Sequence, residues 1–163
     1  MAIYMQPARS GPGSVPSVTY GLYETAAAIV IGSVLIYDTG NYDLAGADPA
    51  LIAGVALQAA GTAPGYDAAN SPVPITGRQQ KIAVAIADRN TVFSAQLTNG
   101  SSTVVTPATT DVGSQYGITA YSGKWTVDRN KTTTSARVQV IAIDLERNLV
   151  FFRWLADHIY GAT

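Results

Sequence analysis

The chain has 163 residues, 47% hydrophobic and 13% charged, with a formal net charge of -1 and no cysteine. One compact core or two small ones fit that length, disulfides and cysteine chemistry are excluded, and ten scattered Lys and Arg form no basic stripe for nucleic acid. Charged residues at half the roughly 25% usual in globular chains leave much uncharged surface, which points to a subunit covered by its neighbours.

Residues 1–25 carry Pro7, Pro12 and Pro16 with Gly11, Gly13 and Gly21. Proline fixes φ and glycine frees it, so neither a helix nor a central strand is expected here. No basic region is followed by an apolar core, so the segment does not read as a signal peptide, and synthesis in a cytoplasm is expected. It also holds Val15, Val18 and six further apolar side chains: Ile3, Tyr4, Met5, Tyr20, Leu22 and Tyr23. A solvated tail carries fewer. Two readings stand, a flexible leader or an extended N-terminal arm. In the second, those six residues contact a neighbouring subunit.

From Ala26 the texture changes. AAAIVIGSVLIYD is β-branched and apolar, and Gly32 inside it marks a bulge or bend. The run from Ala26 to Tyr37 is too short to span a bilayer, which needs roughly 20 apolar residues. DTGNYDLAGADPAL reads as loop. LIAGVALQAAG reads as a short buried strand or a helix, and its shortness and Gly54 favour the strand. APGYDAANSPVPITG is a long loop. QKIAVAIAD sets Ile82, Val84 and Ile86 against alanines, as a strand with one bulky face does. TVFSAQLTNG is a strand ending on the turn pair Asn99-Gly100. SSTVVTPATTDVG is Thr-rich and extended. QYGITAYSG and KWTVDRN form a hairpin about Ser122-Gly123. ARVQVIAIDLERN places Val138, Val140 and Ala142 on one face and turns at Arg147-Asn148. LVFFRWLADHIY closes as a strand or a short helix, and a hairpin from Arg137 to Leu155 is expected.

Only two Glu occur, and no segment shows a capped helical period. The fold class is therefore all-β, with small barrel or sandwich modules behind the arm. The expected division is an arm at 1–25, a first β-module at 26–98 and a second at 99–163, with the two modules alternatively forming one continuous domain.

Asp38-Thr39-Gly40 after Val34–Tyr37 resembles the active-site strand of retroviral-type aspartic proteases, where two carboxylates share a proton. The loose match for the second family segment is Ile75-Thr76-Gly77-Arg78. The chain departs from that pattern at Asn41 and Tyr42, where a small residue follows, and at Thr76, which interrupts an apolar pair. A turn uses the same residues, because Asp bonds local amides and Gly takes positive φ. The turn is the preferred reading, and a protease using Asp38 is kept as an alternative. Asp38, Asp43 and Asp48 match no calcium-loop spacing and read as solvated. His158 is the only histidine, so no nitrogen or sulfur zinc site can be built within one chain. No nucleophile elbow or phosphate loop occurs, and no cofactor or metal is expected. Trp125, Trp154, Phe151, Phe152, Tyr116 and Tyr121 form either core and interface or a stacking platform, and core is preferred.

A longer pattern links Gly32–Leu35, Ile52–Leu57, Ile82–Asp88, Thr91–Ala95, Gly113–Ile118, Trp125–Asp128, Arg137–Ile141 and Val150–Trp154. In that order these segments resemble small proteins of tailed bacteriophages that decorate or cement the capsid. The resemblance spans roughly residues 26–155. It implies a β-rich, β-tulip-like domain that assembles as a homotrimer over junctions between major capsid proteins. It further implies a structural, non-enzymatic role on the outer capsid surface of the virion, with no nucleic acid or membrane as partner. A tail, neck, fibre or receptor-binding component is the alternative within the virion.

Overall fold

The computed structural model describes residues 5–8, 16–23, 29–60, 81–100, 103–121 and 124–160. The regular structure there is all-β, as the sequence pattern predicts. The strands in chain order are β1 (Gln6–Pro7), β2 (Val18–Leu22), β3 (Val34–Asp38), β4 (Asn41–Leu44), β5 (Gly54–Ala56), β6 (Lys81–Ile86), β7 (Phe93–Thr98), β8 (Val104–Val105), β9 (Gln115–Tyr121), β10 (Lys124–Asp128), β11 (Val138–Asp144) and β12 (Leu149–Trp154). Single 3-10 turns occupy Thr109–Asp111, Thr133–Ser135 and Ala156–His158.

Two sheets result. The first runs β2-β6-β5-β3-β4, and a bridge between Tyr23 and Tyr42 brings its ends together. In the second, the pairings close into a ring, β7-β10-β9-β11-β12 and back to β7, with β1 and β8 added along β7. A closed ring leaves the barrel strands few open edges.

The first sheet is apolar on both faces, and β6 shows why. Its bulky Ile82 and Val84 fill the small first barrel with Leu35, Tyr23 and Tyr42. Ala85 turns the other way and, with Val34 and Val55, joins one continuous core with Phe93, Val127, Val138 and Phe152 of the second sheet. Alanine on that face lets the barrels approach closely. The two sheets thus share this core, and β7 pairs with β10 and β12 and not with the first sheet.

Three local expectations are corrected. DTGNYDLAGADPAL is not all loop: β4 pairs along β3 from Leu35↔Leu44 to Asp38↔Asn41. Ala142 does not share the face of Val138 and Val140. A bulge between Val140 and Ala142 shifts the phase, so Ala142 is exposed and Ile143 packs on the core. Residues 18–22 form a fully paired strand, because Pro16 precedes the β-forming run Val-Thr-Tyr-Gly-Leu and does not interrupt it. The hairpin from Arg137 to Leu155 is present as β11 and β12, and the last stretch is a strand followed by a 3-10 turn. The hairpin expected about Ser122-Gly123 forms as β9 and β10, with its turn residues outside the described ones. The long loop at 63–77 lies outside them as well.

Gly21 is required by a close approach. A Cβ there would overlap the ring of Tyr42. That ring is buried, stacked on Tyr37 at 4.5 Å and hydrogen-bonded to its hydroxyl at 2.7 Å, so it has nowhere to move. Gly21→Ala is expected to destabilise the fold by about 1–3 kcal/mol, read as a lowered urea midpoint at unchanged m-value.

Candidate interaction surface

The six apolar residues of the N-terminal segment separate. Met5 is 1% exposed in the shared core and Tyr23 is 3% exposed in the first barrel. Both are buried against this same chain. The strands beside them explain it: β1 pairs with β7 and β2 with β6, so the chain's own sheets offer the nearest apolar surface. Leu22 is half-buried and Tyr20 is exposed at 55%. Ile3 and Tyr4 lie outside the described residues.

Apolar surface is nonetheless plentiful. Val18 and Tyr20 are exposed on β2, and Val30 and Ile31 at the turn before β3. Tyr160 packs on Tyr37 with ring centroids 4.9 Å apart, and both rings reach solvent. A half-open recess of about 360 Å³ lies between the sheets. Val30 and Leu44–Ala47 form one wall, and Thr119, Ala120 and Trp125 form another. Trp125, Trp154 and Phe152 are otherwise core residues, and Trp154 meets Phe152 edge-on at 5.3 Å. Tyr116 is buried too, so the aromatics named from the sequence do not make one surface platform.

The acidic residues are likewise dispersed. Thr39 and Gly40 have φ of 46° and 90°, and Asp38 pairs with Asn41 across them. Positive φ at both central residues defines a two-residue type I′ hairpin. Asp38 thus stands exposed at a hairpin tip, where the turn reading put it. Asp43 accepts the N–H of Leu44, and Asp48 pairs with Lys131 at 2.8 Å. Among the described residues no cluster of three or more acidic or histidine side chains is placed to hold a metal ion. Nor is any helix among them long and apolar enough to cross a membrane.

What the polar groups do is fasten the two sheets. Lys131 donates to Asp48 and to the carbonyl of Ile118. Arg137, 7% exposed, donates to the carbonyls of Asp48 and Pro49. The Nδ1 of His158 lies 2.9 Å from the carbonyl of Ala50 and donates to it. Ile52 and Ile159 bridge in parallel beside them. The loop between β4 and β5 is thus held to the second sheet at successive residues.

A second cluster pins the loop before β9. Asp111 accepts both Nε and Nη2 of Arg129, at 3.1 and 2.6 Å, with the Tyr116 hydroxyl at 2.7 Å and the Ala108 N–H at 2.7 Å. Sequence reading missed this cluster. The only local sign was the turn-forming Thr-Thr-Asp before Gly113, inside a run read as extended.

No protein-family model matches the chain, and no curated protein matches it.

Proposed function

We propose that the chain is a structural virion protein that decorates a bacteriophage capsid and cements it by bridging neighbouring major capsid proteins. The observation that carries this reading is the exposed apolar surface on a charge-poor β body whose sheets share one core. Isolated exposed apolar side chains are ordinary. Here they include Val18 and Tyr20 on β2, Val30 and Ile31 before β3, Tyr37 and Tyr160, and also Leu51, Val104, Val112 and Leu145, on a chain with 13% charged residues. The order of segments that resembles capsid decoration proteins supports the same reading.

The action would be binding alone. Each copy buries apolar side chains against adjacent capsid subunits, at about 25 cal/mol per Å². The lattice repeats the contact, so individually weak contacts sum. The contacts that fasten the two sheets suit the task, because a hinge between the sheets would let the bridged subunits separate without breaking the bridge.

The test is co-sedimentation of the purified chain with heads and, separately, tails of the phage that encodes it, followed by electron microscopy. Saturable binding to heads, with added density over the icosahedral lattice, is expected. Binding to tails alone would replace this reading with the tail or fibre one, and binding to neither would sink both.

A further inference from the structure

We propose that the bond between Asp48 and Pro49 is a self-cleavage site, opened by the Asp48 carboxylate while Arg137 holds the scissile carbonyl. Asp48 is the only aspartate followed by proline. An aspartate carboxylate attacks its own main-chain carbonyl by closing a five-membered ring, and such an attack has the advantage of a high effective concentration. Proline weakens the bond, because its ring nitrogen carries no N–H and leaves as a basic secondary amine.

The fold adds three features that the dipeptide alone lacks. Arg137 is buried, and its Nη2 donates to the Asp48 carbonyl at 3.3 Å while its Nε donates to the next carbonyl, of Pro49, at 2.6 Å. A fixed cationic donor on that oxygen stabilises the negative charge that develops there during attack. Lys131 Nζ holds Oδ1 of Asp48 at 2.8 Å, which fixes the carboxylate and leaves Oδ2 to attack. Asp48 itself has φ of 52°, a left-handed conformation that costs energy in a residue with a side chain. It lies in the loop from β4 to β5, strands that do not pair with each other, so no hairpin turn calls for that conformation. Cutting the bond would release it.

The step balances with water alone. Oδ2 adds to the Asp48 carbonyl carbon, the C–N bond to Pro49 breaks, and the proline nitrogen takes a proton from hydronium. Water then opens the cyclic anhydride and leaves two carboxylates on Asp48. The charged and titratable groups facing the bond are Lys131, Arg137 and, through the carbonyl of Ala50, His158. The cut chain would stay in one piece. Residues 1–48 carry β1, β2 and β3, which pair with β7, β6 and β5 on the other side of the cut. The proposal goes beyond the capsid reading and does not depend on it.

The test is incubation of the purified chain at about pH 5, where the Asp111 cluster still contributes its full stability, with mass spectrometry of the products. Fragments 1–48 and 49–163 are expected, with masses that sum to the parent chain plus one water. The folded chain should cut at least about tenfold faster than the same chain unfolded in urea at the same pH, because only the fold supplies Arg137 and Lys131. Asp48→Glu, which must close a larger ring, and Pro49→Ala, which makes a poorer leaving group, should each slow the cut at least about tenfold. No cut in the folded parent, a folded rate at or below the unfolded one, or a parental rate in Asp48→Glu would overturn the proposal. Gel filtration of the cut chain should match the uncut one, and fragments that part without urea would overturn the claim that it stays in one piece. Failure here would leave head binding untouched.

Discussion

Arg137→Ala is expected to lower the unfolding free energy by about 3–5 kcal/mol. The guanidinium is buried and faces carbonyls on every side. Nε donates to Pro49 at 2.6 Å, Nη1 to Thr134 at 3.0 Å and Ala136 at 2.8 Å, and Nη2 to Asp48 at 3.3 Å. Truncation would leave these acceptors desolvated and unpaired. Among the described residues no ion pair involves Arg137, and the Asp48 carboxylate pairs with Lys131, so Arg137 acts as a fan of donors. Arg137→Lys should therefore recover only a minor part of the loss, because an ammonium cannot reach acceptors spread around a planar fork. Urea unfolding measures the loss. Hydrogen exchange locates it: the amide of Ile52, bonded to the carbonyl of His158, should lose protection before the barrel strands do. An effect below about 1 kcal/mol would show that apolar packing alone holds the sheets together.

Asp111→Ala is expected to cost about 2–4 kcal/mol and to remove part of the acid sensitivity. The Arg129 side chain is 34% exposed, so solvent weakens the ion pair itself. Much of the loss comes from the stranded N–H of Ala108 and hydroxyl of Tyr116. Burial pushes the Asp111 carboxyl up, but that N–H, the Arg129 guanidinium and the Tyr116 hydroxyl outweigh it and hold the carboxyl below its ordinary value. A depressed folded pKa contributes stability that is full above the unfolded value, near 3.9. That stability is lost as pH falls through the folded value. The gap between the parent chain and Asp111→Ala should thus be constant from about pH 8 to 5 and shrink below about pH 4. A gap that widens on acidification would contradict the cluster.

Local chemistry accounts for what was legible. The hairpin of β11 and β12, the strand β6 with its bulky and small faces, and the turn at Asp38-Thr39-Gly40 each follow from residues a few positions apart. The exposed apolar surface was legible only in kind. Low charge and surplus apolar residues announced it, but which of those residues stay outside was not written locally. Met5 and Tyr20 look alike as apolar residues near prolines, yet one is core and the other is exposed.

By itself, then, the sequence determined an all-β chain, most of its strands and several of its turns, because alternation and turn preference act between neighbours along the chain. Only the tertiary structure decided that β7 belongs to the second sheet, that β2 is a sheet strand, and that a bulge flips Ala142 outward. It also decided the fastening of the two sheets. Lys131 meets Asp48 across 83 positions and Arg137 meets Pro49 across 88. Such contacts exist only once strands have paired, and pairing is chosen by how well whole faces bury one another, a property that no short stretch carries.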